Sequence, residues 1–359
     1  MMAKLSDVCT KGTSNIAQKD LDSRNGCYPI YGASGFIKNV DFYHQEKPYI
    51  AVVKDGAGVG RVMKLPAKSS VIGTMQYIIP NDGVCVEYLS YALEHMNLSK
   101  YYLGAAIPHI YFKDYCNESV PNHTEAQQVF IAKILGFVDN LISLRKQQLA
   151  KLDELVKARF VELFGECEEH KCLEEYANLI TKGASPKWQG VDYCEEGTLF
   201  VTSENVREGY LDLSKRKYLD EKINEIQPRS ILKRNDILIN IVGASIGRAA
   251  VYDCDDVANI NQAVALVRVD YSQINQTYLM TFLNSPQAIE MYGKMKKGGA
   301  RDNLSLQNIA DLQIPVASID LQNQFAAFVE QTDKSKSAIQ QSLDKLETLK
   351  KALMQKYFG

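Results

Sequence analysis

The chain has 359 residues, 46% of them hydrophobic and 23% charged, with a formal net charge of −2. That length fits about two ordinary domains, each long enough to bury a core of its own. The charge balance excludes a broadly basic, DNA-coating surface, and no run of about 18 consecutive apolar residues is present to cross a bilayer.

The opening segment, 1–11, carries charge early and has no apolar stretch of the kind a secretory signal needs, so a cytoplasmic protein is expected. The eight cysteines form no C-x-x-C pair and read as reduced thiols. From there to residue 122, short β-rich runs are broken by glycine and asparagine. Tyr49–Val53 and Val71–Ile79 are predicted strands, and 87–95 a predicted helix, giving a compact α+β part over 1–122.

A long helix follows over 123–165. Ile134, Phe137, Val138, Leu141, Leu144, Leu149, Leu152, Leu155 and Phe160 recur at mostly three- and four-residue steps. Thr124 and Gln127 fit a capping box at its start, and Gly165 fits its stop. A second α+β part spans 166–317, with Thr198–Val201 and 263–269 as predicted strands and Gln276–Leu283 as a predicted helix. The cluster Cys167, His170 and Cys172 at its start lacks the fourth ligand and the spacing of a zinc site, and reads as linker. A second long helix closes the chain over 318–359. Its Phe325, Thr332, Ile339, Leu346 and Leu353 fall at strict heptad intervals. The remaining faces of both helices are rich in Lys, Gln, Glu and Asp. An apolar stripe this narrow reads as a coiled-coil seam. About 40 residues at roughly 1.5 Å each make a rod of 55–60 Å, too long for one small domain to cover.

The two halves repeat one another. The run from Ile50 into Gly56-Ala-Gly-Val-Gly-Arg61 returns from Ile237 into Gly243-Ala-Ser-Ile-Gly-Arg248. Thr10-Lys11-Gly12 returns as Thr181-Lys182-Gly183, His109-Ile110 as Asn303-Leu304, Val120-Pro121 as Ile314-Pro315, and Phe164-Gly165 as Phe358-Gly359. The order is kept throughout, which indicates a domain duplication rather than a solenoid of short repeats.

Catalytic signatures are missing. Both glycine runs continue into arginine, where a phosphate-binding P-loop would continue Gly-Lys-Ser/Thr, and the residues after them look extended rather than helical. They read as tight turns. There is no Pro-Pro segment of the kind an adenine methyltransferase uses, and no H-E-x-x-H, so neither a cofactor nor a metal is expected.

Taken together, the strand into Gly56–Arg61 and Gly243–Arg248, the prolines near 121 and 315, the opening run Tyr28–Ile37 and the two Leu-rich helices resemble the specificity subunits of type I restriction–modification systems. The resemblance covers essentially the whole chain. It implies an α+β fold of two similar target-recognition domains, separated by a pair of long antiparallel coiled-coil helices in a pseudo-two-fold internal repeat. It further implies a non-catalytic subunit in which each domain reads half of a split double-stranded DNA target. The helices would set the spacing and dock methyltransferase subunits, two of them expected, with restriction subunits joining the complex. Alternatives are a coiled-coil scaffold that binds protein only, and a fused methyltransferase or nuclease.

On this reading, the DNA contacts are polar or basic groups on loops. In the first domain these are Lys11, Tyr31, Ser34, Lys54, Arg61 and Lys64; in the second, Lys182, Lys187, Ser203, Asn205, Arg207, Arg248, Lys296, Lys297 and Arg301. Arg61 and Arg248 could instead pin their turns. The seam and docking residues are Ile134, Leu141, Leu152, Leu155, Ile339, Leu346 and Leu353.

Overall fold

The computed structural model describes residues 2–102, 108–295 and 302–359. Two compact units divide the chain: Met1–Gln147 with Ile339–Gly359, and Gln148–Ala338.

The first unit opens on β1 (Met2–Lys4), the single-turn α1 (Leu5–Val8) and β2 (Cys9–Thr13). β3 (Tyr28–Gly32) and β4 (Gly35–Val40) form a hairpin. β5 (Tyr49–Val53), β6 (Val62–Leu65), β7 (Ser70–Val71) and β8 (Met75–Pro80) follow. α2 (Val86–Met96), α3 (Phe112–Tyr115) and β9 (Ser119–Pro121) then lead to α4 (Glu125–Phe164). The main sheet has the order β2-β8-β5-β6, and the smaller one β4-β3-β7. Every residue of β5 is buried, because it is an interior strand covered on both faces. Ile50 and Val52 meet Tyr88, Leu89 and Leu93 of α2 on one side, while Tyr49, Ala51 and Val53 pack with Met75 and Tyr77 on the other.

The second unit runs through β10 (His170–Cys172), β11 (Ala177–Lys182), β12 (Tyr193–Cys194), β13 (Thr198–Val201) and β14 (Tyr218–Leu219). α5 (Lys222–Ile226), β15 (Ile237–Asn240), β16 (Ala249–Val251), β17 (Ala258–Ile260) and β18 (Val264–Val269) come next. It closes with α6 (Gln276–Leu283), α7 (Pro286–Met295), α8 (Leu306–Ala310), β19 (Gln313–Pro315) and the first half of α9 (Ile319–Phe358). Its main sheet, β11-β18-β15-β16, has the same order as β2-β8-β5-β6. In the second sheet, β13 pairs antiparallel with β14 and parallel with β17, as β3 does with β4 and β7. The duplication therefore extends to topology and to single bonds. Tyr88 donates its hydroxyl to Pro121 O at 2.7 Å, and Tyr278 to Pro315 O at 2.6 Å. Gln128 Oε1 accepts from Cys85 N at 2.9 Å, and Gln322 Oε1 from Asn275 N at 2.8 Å.

Each 40-residue helix contributes to both units. Within the first unit, Asp139 meets Lys350 at 2.7 Å and Lys146 meets Glu347 at 3.0 Å, so α4 and α9 run antiparallel there. Within the second, Asp153 meets Lys336 at 2.6 Å and the Phe160 and Phe325 rings lie 5.5 Å apart, again antiparallel. The capping box forms: Thr124 N donates to Gln127 Oε1 at 3.0 Å, and Gln127 N to Thr124 Oγ1 at 3.4 Å.

The buried residues of α9 do not keep the heptad. Phe325 and Thr332 are buried, but Ile339, Leu346 and Leu353 are only half-buried. The buried residues of α9 are Gln322, Phe325, Thr332, Leu343, Met354 and Phe358; Thr332, Leu343 and Met354 are eleven apart, and Phe325 to Thr332 is the one heptad step that stays buried. An α-helix of 3.6 residues per turn drifts about 20° per heptad, so a strict seven-residue series walks off the inward face; an eleven-residue step drifts in the opposite sense, and mixing the two keeps the buried positions facing inward. On α4 the inward positions are Ile131, Leu135, Val138, Phe160 and Phe164. Ile134, Leu141 and Leu152 flank the seam, half-buried, and Leu155 faces outward at 47% exposure.

Candidate nucleic-acid interface

The glycine-rich runs are loops leaving the C-terminal ends of β5 and β15, and both are closed by the same bonds. Gly60 N donates to Val53 O and Val53 N to Arg61 O, at 2.8 and 2.9 Å; Gly247 N donates to Asn240 O and Asn240 N to Arg248 O, both at 2.9 Å. A second strand of chain is held against each. Gly56 N donates to Pro108 O, and Ile110 N to Lys54 O; Gly243 N donates to Asp302 O, and Leu304 N to Ile241 O. The glycines are required by conformation. Gly56, Gly60, Gly243 and Gly247 have φ of +83°, +85°, +78° and +88°, the left-handed region that other residues rarely occupy. At Gly60 and Gly247 space is also short: an added Cβ would lie 2.4 Å from Ser99 N and from the Tyr292 ring, respectively.

These loops mark one end of each main sheet. In the second unit, Lys182 ends β11 opposite Ala265, and β15 ends at Asn240 opposite Val264. The Asn240 amide donates to Ser203 O at 3.0 Å and Val206 O at 3.3 Å, which ties the 203–207 segment to the same end. Lys182, Ser203, Asn205, Arg207 and Arg248 are thus brought together, with Lys187 on the turn just beyond Lys182. Their availability differs. Lys182, Lys187 and Arg248 are exposed and make no ion pair among the described residues. Arg207 pairs with Asp212 at 3.5 Å. The Asp212 carboxyl is held below its usual range, chiefly by the Ser214 hydroxyl and backbone N–H, with Arg207 adding to them. Asn205 is buried, and its side chain is committed to Thr202 and to Asp212 O. Lys296, Lys297 and Arg301 lie outside the described residues.

In the first unit, Tyr31, Ser34, Lys54 and Arg61 gather at the corresponding end. Arg61 Nη1 donates to Ala33 O at 2.9 Å, so this arginine pins the β3–β4 turn next to Ser34. Lys54 lies 3.9 Å from Asp55, which also contacts His109. Lys11 and Lys64 are elsewhere. Lys11 sits mid-strand opposite Ile78; Lys64 pairs with Ile50 at the far end of β5 and forms an ion pair with Glu87 at 3.2 Å. Exposed aromatics flank both ends and were not among the expected contacts: Phe36 beyond Ser34 at 60% exposure, Tyr210 at 61%, and Trp188 at 87%. The signal was present, since the chain's only tryptophan stands in a turn bounded by Pro186 and Gly190.

Along α4 a second apolar stripe faces outward: Phe130, Phe137 and Leu144, seven residues apart and 60%, 64% and 46% exposed. By length and composition alone α4 is long and apolar enough to cross a membrane, a property that counting consecutive apolar residues misses. No cluster of three or more metal-binding side chains occurs among the described residues. Cys172 Sγ instead accepts from Gln313 Nε2 at 3.1 Å.

Comparison with known proteins places this geometry. The type I restriction modification DNA specificity domain matches twice, over residues 1–154 and 169–349. The chain is 28% identical over 193 residues to the type I restriction enzyme EcoBI specificity subunit of Escherichia coli, a match covering 52% of this chain and 40% of that protein. It is 23% identical over 346 residues to the MjaVIII specificity subunit of Methanocaldococcus jannaschii, covering 90% and 81%. In fold it is similar to the type I restriction–modification S subunit of M. genitalium, with a TM-score of 0.62 at 16% identity over 100% of this chain and 96% of that one. A chain from a structure describing the assembly of a type I system gives a TM-score of 0.64 at 15% identity, over 100% and 97%. With the family's domain matched across both halves, and the same strand order and loop closure in each, this chain belongs to the type I restriction–modification DNA specificity family.

Proposed function

We propose that the chain is the sequence-reading, non-catalytic subunit of a type I restriction–modification complex, in which each unit reads one half of a split, asymmetric double-stranded DNA target. The observation that carries this reading is the repeated sheet end. One backbone scaffold, matched bond for bond, carries different side chains in the two units: Val53, Lys54 and Asp55 in one stand where Asn240, Ile241 and Val242 stand in the other, and Arg61 is held on Ala33 O where Arg248 makes no ion pair among the described residues. A repeated frame with divergent loops is suited to reading two different short words, because phosphate contacts position a protein while base-edge contacts specify sequence. Genome-wide methylation mapping in a host with and without this gene tests it. The expected result is one bipartite motif, methylated only when the gene is present; a motif unchanged by its loss sinks the reading.

The helices supply the spacing and the docking frame for methyltransferase subunits, two per chain, with restriction subunits joining afterwards in the cytoplasm. The exposed stripe Phe130, Phe137 and Leu144 supports docking, since outward aromatics at heptad spacing are what a partner helix covers. The half-buried Leu353, packed on a core cluster that includes Ile131, Ala132 and Leu135 of α4, supports a role in holding the helix pair together, and Leu346 is assigned the same role. Incubating the pure chain with DNA and labelled S-adenosylmethionine is expected to give no methyl incorporation; transfer by the chain alone would favour the fused-enzyme alternative.

A further inference from the structure

Single exposed hydrophobic residues are common on protein surfaces, so the exposure of Trp188 alone means little. Its mounting distinguishes it. The chain leaves β11 at Lys182 and passes Gly183, where an added Cβ would fall 1.7 Å from Ile260 O, so the backbone is clamped against the end of β17. It then makes one turn of 3-10 helix over Pro186–Gln189. Pro186 at the first helical position fixes φ and is itself buried. Trp188 N and Gln189 N both donate to Ser185 O, at 3.1 and 3.3 Å, and Val191 N donates to Pro186 O at 3.1 Å. Gly190 closes the turn at φ +66°. Val191 then anchors it, packing with Phe200, Leu219 and Ile223. The indole is therefore held outward by a closed, anchored turn and not by a loose loop. Lys187 beside it and Lys182 behind it are exposed cations without ion pairs among the described residues, at the sheet end that also carries Arg248.

The first unit gives the contrast. After β2 it has the corresponding 3-10 turn, Gln18–Leu21, with Lys19 in the place of Lys187. The residue after that lysine is Asp20, and Leu21 is buried. The cation is kept in both units, while the protruding aromatic belongs to the second alone.

We infer that Trp188 is a DNA-contacting specificity residue of the second unit, its indole packing against the bases or sugars of that half-site while Lys182, Lys187 and Arg248 hold the flanking phosphates. The inference rests on the DNA-reading function proposed above. An aromatic plane offers stacking and apolar area that a charged side chain cannot, and flanking cations add the salt-dependent, sequence-independent share of the affinity. A loss of Trp188 should therefore act on one half-word and leave the other intact.

Because Trp188 is the only tryptophan in the chain, its fluorescence reports on this position alone. The experiment selects duplexes from a randomised pool on the full chain. A fluorescein-labelled selected duplex is then titrated, following both anisotropy and tryptophan emission. Expected are a rise in anisotropy with quenching of Trp188 and its protection from acrylamide. Trp188→Ala should weaken binding about tenfold, in the range of one lost base-pair contact in a duplex groove, with Trp188→Phe recovering most of it. Repeating the selection with Trp188→Ala should relax the second half-word only. Anisotropy rising with no change in emission or acrylamide access overturns this inference and leaves the DNA-reading function standing. So does an emission change that appears on adding methyltransferase subunits and not on adding duplex. A chain that selects no duplex overturns both. Since the side chain is almost fully exposed, neither variant should disturb folding.

Discussion

At the scale of single residues, the two glycine-rich loops make a graded prediction. Gly243 has φ +78° but open space around its Cα, whereas Gly247, at φ +88°, faces the Tyr292 ring at 2.4 Å. Gly243→Ala should cost about 1 kcal/mol from backbone strain alone, and Gly247→Ala about 3 kcal/mol once the overlap is added. Urea denaturation of the two variants checks this; equal losses would mean that the Tyr292 contact is not what reserves position 247 for glycine. The cysteines offer a chemical check. Burial pushes the Cys9 thiol up to about 12, while Cys27 and Cys194 are exposed. At pH 8 the Cys9 thiolate fraction is then on the order of one in ten thousand, so iodoacetamide should label Cys27 and Cys194 first and Cys9 only after unfolding, as read by peptide mass spectrometry. The glycines were legible as turns in the sequence because positive φ restricts the residue type. The partners of Arg61 and Asn205 were not. Ala33 becomes the neighbour of Arg61 through packing of two different sheets, and Asp212 that of Asn205 through the Val206–Leu211 bridge, and a polar residue in a loop reads alike whether it faces DNA or a backbone carbonyl.

At the scale of elements, both long helices were legible to within two residues of their ends, and β5, β13 and α6 to the residue, because periodicity and caps are local. Which face of a helix is buried was less legible. Phe137, Leu144 and Leu155 fit a three- and four-residue recurrence in the sequence yet face outward, because apolar positions on α4 occupy more of its circumference than one neighbour covers. This separates two roles that a list of leucines merges. Leu343 is buried in the first unit, so Leu343→Asp should destabilise that unit by roughly 3–5 kcal/mol through an unpaired buried charge. By contrast, Phe130→Ser, Phe137→Ser and Leu144→Ser combined should leave the melting temperature within about 2 °C of the parent, as surface changes generally do, while abolishing co-purification with methyltransferase subunits. Retained co-purification would place docking on another face.

At the scale of the whole molecule, the helices are a ruler in the proposed function. Removing one heptad from each, 147–153 with 341–347, shortens each helix by about 10 Å, which is close to three base pairs of DNA. The shortened protein should methylate the same two words with a smaller gap, measured by methylation mapping; an unchanged gap would mean that something else sets the spacing. The division into two units was the part least legible in the sequence. A repeat read along the chain suggests halves that end where the repeats end, but Met354 and Phe358, near the last residue, lie in the core of the first unit with Tyr88, Leu89 and Ile131. That places a constraint on biosynthesis. The ribosome makes the second unit, Gln148–Ala338, as one uninterrupted stretch, but it cannot supply what closes the first until the final turns of α9 emerge. The N-terminal unit should therefore be the last to mature, kept waiting by some two hundred intervening residues, against the usual order of emergence. A released chain truncated after residue 338 should show a protease-resistant second unit and a protease-sensitive first one, and supplying 339–359 as a separate peptide should restore resistance to the first.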